Sequence, residues 1–266
     1  MITLYHNDMS SCSQKVRFVL EQKAIAWSSI ELNLREGEQF NPDYVLLNPK
    51  AVVPTLKHDD NVLIESAVIC QYLDESFPGE TLTPVDALDR ARMRLWIQPI
   101  DEFLHADISV ISHAIVFADE IRAANDTEEK LNAYLEKIPD PDKRLMRREL
   151  VTKSTSARPF KSSLFRYKKF VTQMSRALET SPYLLGENLT LADVVCLPYI
   201  VRFQHLNQTE LLNELPGISD WCDRMYETDG YKNGLEKWFK QKGIDNMTAS
   251  GEEKHADIRE AWISAS

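Results

Sequence analysis

The amino-acid sequence predicts an α/β domain over residues 1–80, followed by an all-helical domain. Strand-like and helix-like segments alternate as far as Pro78-Gly79, whereas the stretch from Leu88 to Ala124 contains no glycine and only one proline, Pro99. The 266 residues include only 8 Gly against 12 Pro, and 43% of them are hydrophobic. These proportions favour a helix-rich globular protein over a sandwich or barrel with many turns.

The first segments indicate a βαβ unit. Residues 2–6 are typical of a short strand, a helix is predicted over residues 14–21, and residues 27–32 indicate a second strand. A right-handed crossover is the simplest connection between two strands separated by a helix.

The next segments indicate a ββα unit. After a short helix at residues 41–47, a hairpin is predicted over residues 53–64, because strand-like segments flank the turn-forming triplet Asp59-Asp60-Asn61. Apolar residues then recur at helical spacing over residues 65–77.

The second domain is predicted to be helical throughout and to cover residues 88–242. It begins with a very long helix, or a kinked pair of helices, after a linker from Pro78 to Ala87. A basic helix follows the break at residues 139–142, and the polar stretch over residues 243–266 is expected to be a loose tail. Further helices are predicted at residues 160–180, 190–207 and 216–241.

Charge and cysteine usage exclude several classes of function. The net charge of -10 disfavours nucleic acid and anionic membrane surfaces as partners. No apolar run approaches the ~20 residues that span a bilayer, and the N-terminus lacks the pattern of a signal peptide. The four cysteines are scattered without a C-x-x-C pair, which argues against a zinc site and a disulfide framework. A cytoplasmic protein without a metal is expected.

Three short motifs lie in the predicted α/β domain. They are Ser10-Ser11-Cys12-Ser13 before the first helix, Val52-Val53-Pro54-Thr55-Leu56 in the hairpin, and Glu65-Ser66 at the start of the third helix. Taken singly, these motifs are explained by a helix cap, an edge-strand proline and an ordinary first helical turn. Their joint occurrence in this order is far more specific.

With these motifs, the chain resembles the glutathione transferase superfamily, and the first motif is similar to the Ser-Ser-Cys-Ser run of zeta-class enzymes. The resemblance implies a thioredoxin-like N-terminal domain that binds glutathione as co-substrate. It also implies a helical C-terminal domain that binds a hydrophobic electrophile, and it implies a homodimer.

The resemblance places the catalytic serine at Ser10, with Ser11 and Cys12 as the alternatives. A thiol with a pKa near ~8.5 is mostly protonated at neutral pH, and a hydroxyl donor at a helix N-terminus favours its thiolate. Cys12 offers a different role, because some bacterial classes use a cysteine near this point for reductive or mixed-disulfide chemistry.

The other two motifs imply the glutathione-binding residues. Pro54 is expected to be cis, and the backbone of Val53 to pair with the cysteinyl part of glutathione by a short strand addition. Val52 replaces the polar residue of tau-like and zeta-like patterns, so Lys50 and Gln39 are the candidates for the glycyl carboxylate.

The Glu65-Ser66 pair is expected to bind the γ-glutamyl end of glutathione. Ser66 and the nearby helical amides can bind its carboxylate, because the free N–H groups of a first helical turn favour anions. Glu65 can accept hydrogen bonds from its ammonium group.

The second substrate is expected to meet the long helix after Leu88. Asp101, His105, Ile108 and Ser112 fall on one helical face at this spacing, so His105, Ile108 and Ser112 are the candidate second-substrate residues. The alternative for His105 is a structural role.

The residues 90–96, the break at 139–141 and the residues 64–73 resemble bacterial β-aryl-etherase-type transferases, which use glutathione to displace an aryloxide from an ether. Kinship of fold does not fix a substrate. Thr190-Leu191-Ala192-Asp193 is a capping-box pattern, which makes Asp193 a folding residue rather than a catalyst.

Three functions therefore compete. The first is attack of glutathione thiolate on an electrophilic small molecule, including aryl-ether cleavage. The second is a thiol oxidoreductase that uses Cys12, and the third is a non-catalytic binding protein that has kept the fold.

Overall fold

The computed structural model describes residues 1–265 and divides into two compact units that are interleaved along the chain. Unit 1 comprises Met1–Asp101, Ala177–Ile200 and Ser219–Lys240. Unit 2 comprises Glu102–Arg176, Val201–Ile218 and the residues from Gln241 onward. The predicted linker from Pro78 to Ala87 therefore falls inside unit 1.

Unit 1 contains a four-stranded sheet with the order β2-β1-β3-β4. The strands are Ile2–His6 (β1), Trp27–Glu31 (β2), Thr55–His58 (β3) and Asn61–Ile64 (β4). β1 runs parallel to β2 and antiparallel to β3, and β3 and β4 form the predicted hairpin. The βαβ and ββα units are confirmed, in the thioredoxin-like arrangement.

Helices make up most of the remaining chain. They are Ser11–Gln22 (α1), Pro42–Leu47 (α2), Ser66–Ser76 (α3), Ala87–Pro99 (α4), His105–Ser112 (α5), Ala118–Ala124 (α6), Glu128–Glu136 (α7), Pro141–Lys153 (α8), Arg158–Leu178 (α9), Leu191–His205 (α10), Thr209–Asn213 (α11), Ile218–Tyr226 (α12), Asp229–Gly234 (α13), Gln241–Glu253 (α14) and His255–Ser264 (α15). Within residues 1–265, no helix has both the length and the apolar character that a membrane crossing requires.

The long helical run after Leu88 is confirmed, with two irregular turns. π-helical segments at Ile100–Leu104 and His113–Phe117 join α4, α5 and α6. The first segment directly follows Pro99, which has no N–H for a helical hydrogen bond and whose ring crowds the preceding turn. A locally widened helix accommodates such a break without ending the run.

The expectation of a loose tail is wrong, because the residues after Gln241 form α14 and α15. Their apolar side chains are widely spaced, yet Met247, Ile258 and Trp262 are 6%, 0% and 2% exposed. A Cβ atom on Gly251 would lie only 1.8 Å from the backbone oxygen of Leu206. The glycine therefore permits a close backbone contact that a polar sequence pattern does not reveal.

The predicted helix over residues 216–241 is also divided. Thr228 separates α12 from α13, and its hydroxyl caps the new helix by accepting a hydrogen bond from the Tyr231 backbone N–H at 3.1 Å. A 3₁₀ turn at Glu236–Trp238 follows α13. The Thr228 cap starts a new helix at a point where helical periodicity alone predicts that the first helix continues.

Asp193 is confirmed as a folding residue in unit 1. Its fully buried carboxylate accepts four hydrogen bonds: from the Leu184 and Thr190 backbone N–H groups at 2.9 and 3.0 Å, from the Thr190 hydroxyl at 3.0 Å, and from Trp221 Nε1 at 2.9 Å. Burial raises the pKa of Asp193 above its ordinary value. The carboxylate joins the start of α10 to Leu184 and to Trp221 of α12.

We expect Asp193→Ala to lower the free energy of unfolding by at least about 3 kcal/mol, because it leaves several buried donors without an acceptor. Urea unfolding followed by circular dichroism measures the change. Glu187→Ala, an exposed change nearby, should stay within about 0.5 kcal/mol of wild type. Equal stability of the two variants would show that the four hydrogen bonds contribute nothing net.

Candidate active site

The loop between β1 and α1 is held by Arg17, whose side chain is fully buried. The guanidinium donates to the backbone oxygens of Asn7 and Asp8 at 2.8 and 2.7 Å, and to that of Gly234 in α13 at 2.7 Å. Buried charge is tolerated when its donors are satisfied in this way. These hydrogen bonds therefore hold the loop in one conformation and fix the position of Ser10 at the start of α1.

Ser10 is the N-cap of α1. Its backbone is extended (φ -70°, ψ 117°), and its Oγ accepts a hydrogen bond from the Ser13 backbone N–H at 3.3 Å. Ser11 is only 6% exposed, whereas Ser10 and Cys12 are both half-buried. A hydroxyl that accepts one hydrogen bond still has a proton to donate, so capping and thiolate binding are compatible at Ser10.

A cluster of polar side chains lies beneath Cys12, and sequence reasoning missed it. Lys15 is fully buried, and its Nζ lies 3.9 Å from Asp101 Oδ1 and 5.5 Å from the ring centre of Tyr199. A side-chain hydrogen bond joins Tyr199 to Cys12, and burial is the main cause that raises the pKa of Tyr199 well above its ordinary value. The i, i+3 spacing of Cys12 and Lys15 on α1 was the available clue.

The Lys15 ammonium has no hydrogen-bond acceptor among the described residues. An ammonium carries three donors and is costly to bury without acceptors. The Asp101 carboxylate at 3.9 Å is beyond hydrogen-bond distance, and its side chain is 53% exposed. Lys15 therefore places a buried positive charge near Asp101 and Tyr199 that is only partly compensated.

The Val53–Pro54 peptide bond is cis, as the resemblance implies. The backbone oxygen of the preceding Val52 accepts hydrogen bonds from the Tyr44 hydroxyl at 2.6 Å and from Asn48 Nδ2 at 2.9 Å. The Thr55 hydroxyl contacts the same two side chains at 2.8 and 3.0 Å. These buried polar groups fix the orientation of the backbone that leads into Val53. Tyr44 and Asn48 lie outside the three sequence motifs, so the motifs alone do not indicate them.

Glu65 is the N-cap of α3 and has a backbone φ of 71°, which is unusual for a residue other than glycine. Its side chain makes no capping hydrogen bond, and the first helical bond joins Ile69 N–H to Glu65 C=O at 2.9 Å. The earlier amides of a helix have no intrahelical acceptor, which makes this terminus suitable for an anion. Strain of this kind is characteristic of functional sites.

Lys50 and Gln39 occupy separate places in unit 1. Lys50 Nζ lies 2.6 Å from Glu65 Oε1, and both side chains are more than half exposed. Gln39 lies in a 3₁₀ turn at Glu38–Phe40, where its Nε2 is 3.5 Å from the Leu34 backbone oxygen. Lys50 thus forms an ion pair with Glu65. The assignment of Lys50 and Gln39 to the glycyl carboxylate stays a prediction.

The candidate second-substrate residues lie in unit 2. His105 is exposed at the start of α5, whereas Ile108 and Ser112 are 3% and 2% exposed. The Ser112 hydroxyl donates to the Ile108 backbone oxygen at 2.8 Å. The three side chains therefore do not share one exposed face, and their role with a second substrate stays a prediction.

Comparison with known proteins places the chain in a family. Residues 9–76 match the N-terminal domain model of the glutathione S-transferases, and residues 166–224 match the C-terminal domain model. The chain belongs to the glutathione S-transferase superfamily.

Two bacterial relatives match most of the chain. Protein LigF of Sphingobium sp. (strain NBRC 103272 / SYK-6) is 27% identical over 250 residues, which cover 89% of this chain and 93% of LigF. Tetrachloro-p-hydroquinone reductive dehalogenase of Sphingobium chlorophenolicum is 26% identical, with 84% of this chain and 91% of that protein covered.

The crystal structure of β-etherase LigF is similar to this fold, with a TM-score of 0.74 at 25% identity and with 89% of this chain and 99% of that chain covered. The chain is accordingly a glutathione transferase. Glutathione is its co-substrate, and the glutathione thiolate attacks an electrophile.

The hydrogen bonds to the Val52 backbone oxygen should affect the affinity for glutathione. Tyr44→Phe removes one hydrogen bond to the Val52 oxygen, so we expect the Kd for glutathione to rise roughly 3- to 10-fold, the equivalent of one net hydrogen bond. Calorimetric titration with glutathione measures it. In the control Tyr72→Phe, the lost hydroxyl contacts His58 instead, and the Kd should change by less than about 2-fold. An unchanged Kd in Tyr44→Phe would remove this network from the binding site.

Proposed function

We propose that this glutathione transferase cleaves aryl ethers, with Ser10 holding the glutathione thiolate. The thiolate sulfur forms a bond to the ether carbon while the carbon–oxygen bond breaks. The aryloxide leaves with the electron pair and then takes up a proton from solvent. The similarity to β-etherase LigF over most of both chains is the observation that carries this choice of substrate.

Ser10 is suited to the thiolate because its hydroxyl stands at the N-terminus of α1. The helix dipole favours negative charge there, and the hydroxyl proton can be donated to sulfur while Oγ still accepts from Ser13. The rate gain comes from holding two reactants together and from keeping the nucleophile ionised at neutral pH.

The rest of glutathione is assigned to the other two motifs. The Val53 backbone pairs with the cysteinyl part, and the N-terminus of α3 with Ser66 binds the γ-glutamyl carboxylate. Glu65 accepts from the γ-glutamyl ammonium, and its strained backbone and its missing cap bond support this role. Lys50 is already paired with Glu65, so it balances the acid when glutathione binds.

Ser10→Gly tests the serine with little loss of helix stability, because glycine at an N-cap costs only a few tenths of a kcal/mol relative to serine. We expect kcat/KM with an aryl ether to fall at least about 10-fold at pH 7 and the pH–rate profile to move to higher pH, since the thiolate loses a donor. Ser10→Thr, which keeps a hydroxyl and a cap, should retain most of the activity. Unchanged kcat/KM in the glycine variant would assign the thiolate to another residue.

A second candidate function is thiol exchange at Cys12. The Tyr199 side chain is hydrogen-bonded to this thiol, and the buried Lys15 ammonium lies 5.5 Å from the ring centre of Tyr199. Nearby positive charge favours a reactive thiolate. In this reaction the Cys12 thiolate attacks one sulfur of oxidised glutathione. A Cys12–glutathione disulfide forms, the original S–S bond breaks, and the second glutathione leaves as a thiolate.

Intact-protein mass spectrometry after incubation with oxidised glutathione tests this candidate. The expected result is one added glutathione in wild type, none in Cys12→Ser and slower addition in Lys15→Met. Cys70→Ser is the matched control, because burial raises the pKa of the Cys70 thiol to about 12 and keeps it protonated. Addition that persists in Cys12→Ser would exclude Cys12 as the exchanging thiol.

We also propose, from the family resemblance, that the protein is cytoplasmic and forms a homodimer. Size-exclusion chromatography with light scattering measures the number of subunits directly.

A further inference from the structure

The basic residues of this chain are concentrated in one segment. The net charge of -10 disfavours anionic partners for the chain as a whole. Residues 143–176 nevertheless contain eleven lysines and arginines and only one acidic residue, Glu149. Within this segment, α9 has six basic residues and no acidic residue. The net charge therefore does not describe the surface that α9 presents.

α9 has one buried apolar face and one exposed basic face. Its buried apolar side chains include Phe160, Leu164, Tyr167, Val171 and Met174. Five exposed side chains recur three, four, four and seven residues apart, which places them on one side of the helix. They form the basic stripe and are Arg158, Lys161, Phe165, Lys169 and Arg176. The stripe is about 27 Å long at 1.5 Å per residue.

The four cations of the basic stripe are not neutralised by nearby acids. Among residues 1–265, no carboxylate lies within ion-pair distance of these four side chains. Two other cations of α9 are engaged within the protein: Arg166 donates from Nε to Asp107 Oδ2 at 2.9 Å, and Lys168 donates to the Trp262 backbone oxygen at 2.7 Å. The charge of the stripe is thus available to an anionic partner.

Helices flank α9 on both sides. Met146 of α8 and Ser163 of α9 line one shared cavity, and α15 and α9 line a groove of about 640 Å³. Asp257 and Glu260 line this groove from α15, so negative charge bounds the stripe on that side. A helix flanked in this way cannot enter a DNA major groove, which is about 12 Å wide and admits a single helix. A flat anionic surface fits it better.

Phe165 distinguishes a lipid surface from other anionic partners. Its side chain is 42% exposed, and it lies between the cations of the stripe. An exposed aromatic side chain among lysines and arginines is typical of helices that lie at a membrane interface. Acidic residues more than about 10 Å from that interface are largely screened at 0.1 M salt.

We propose that the basic stripe of α9 binds the surface of a membrane that contains anionic phospholipids. The four cations meet the lipid phosphates, and Phe165 enters the interface between headgroups and acyl chains. Each lysine or arginine at such a surface strengthens binding by roughly 5-fold. This binding does not depend on the chemistry at Ser10.

Co-sedimentation of the full-length protein with vesicles tests the proposal. The anionic vesicles contain phosphatidylcholine and phosphatidylglycerol at a ratio of about 3 to 2, and vesicles of phosphatidylcholine alone are the comparison. We expect at least about 20-fold stronger binding to the anionic vesicles at about 0.05 M salt, and most of this difference should be lost at about 0.5 M salt. Equal binding to both kinds of vesicle, or no binding to the anionic ones, would overturn the proposal.

Paired variants locate the surface. Lys169→Gln with Arg176→Gln should weaken binding to anionic vesicles roughly 25-fold, and Phe165→Ala should weaken it at least about 3-fold. The matched control is Lys130→Gln with Lys137→Gln, which changes the net charge equally at exposed lysines near α7 and should cost less than about 2-fold. Far-ultraviolet circular dichroism should match wild type in both pairs, because all four side chains are exposed.

Two results would contradict the assignment to lipid. Equal weakening in both pairs would show that overall charge alone drives the binding. Fluorescence anisotropy with a labelled DNA duplex is the second arm of the experiment. Binding of the duplex as tight as that of the anionic vesicles, with loss in Lys169→Gln with Arg176→Gln, would assign the stripe to nucleic acid instead.

Discussion

The buried guanidinium of Arg17 is the constraint on which the proposed glutathione site depends. It spans β1, the loop after it and α13, and its contact with His6 Nδ1 at 3.0 Å completes the set of acceptors. Burial and the charge of Arg17 lower the pKa of His6 to about 3, so the imidazole stays neutral and can accept from the arginine. The other ring nitrogen of His6 contacts the Ser29 hydroxyl of β2 at 2.7 Å. This chain of contacts fixes the backbone immediately before Ser10.

In the proposed site, two helix N-termini bind different parts of glutathione. The α1 terminus is closed by Ser10 itself, which leaves only a hydroxyl proton for the thiolate. The α3 terminus is left uncapped by the Glu65 side chain and is therefore open to a carboxylate. Between them, the cis Val53–Pro54 segment presents backbone groups that are held by Tyr44 and Asn48. One extended tripeptide can satisfy all three places.

Local sequence patterns were sufficient for the elements that position the site. Strand alternation, the turn at Asp59-Asp60-Asn61 and the glycine-free stretch after Leu88 depend on neighbouring residues, and each gave the observed element. Asp193 was predicted as structural for the same reason, because its capping box is contained in four consecutive residues.

Features that depend on distant contacts were not predictable in this way. α14 and α15 are polar in sequence. They pack onto the rest of unit 2 because Gly251 allows a close approach to the Leu206 backbone, and because Lys168 donates to the Trp262 backbone oxygen at 2.7 Å. Lys15 is of a residue type that is seldom fully buried, so its i, i+3 spacing from Cys12 did not by itself indicate that its side chain is buried. Its contact with Tyr199 joins residues that are far apart along the chain.

If Ser10 keeps the thiol of bound glutathione ionised, an ultraviolet titration of the wild-type complex will detect the thiolate. The thiolate absorbs near the far-ultraviolet edge of the protein spectrum, so its fraction can be followed by difference spectra as the pH is raised. The pKa of glutathione bound to the wild-type enzyme should lie clearly below that of free glutathione, and Ser10→Gly should return it toward the free value. A bound thiol that titrates like free glutathione in the wild-type enzyme would show that Ser10 does not stabilise the thiolate.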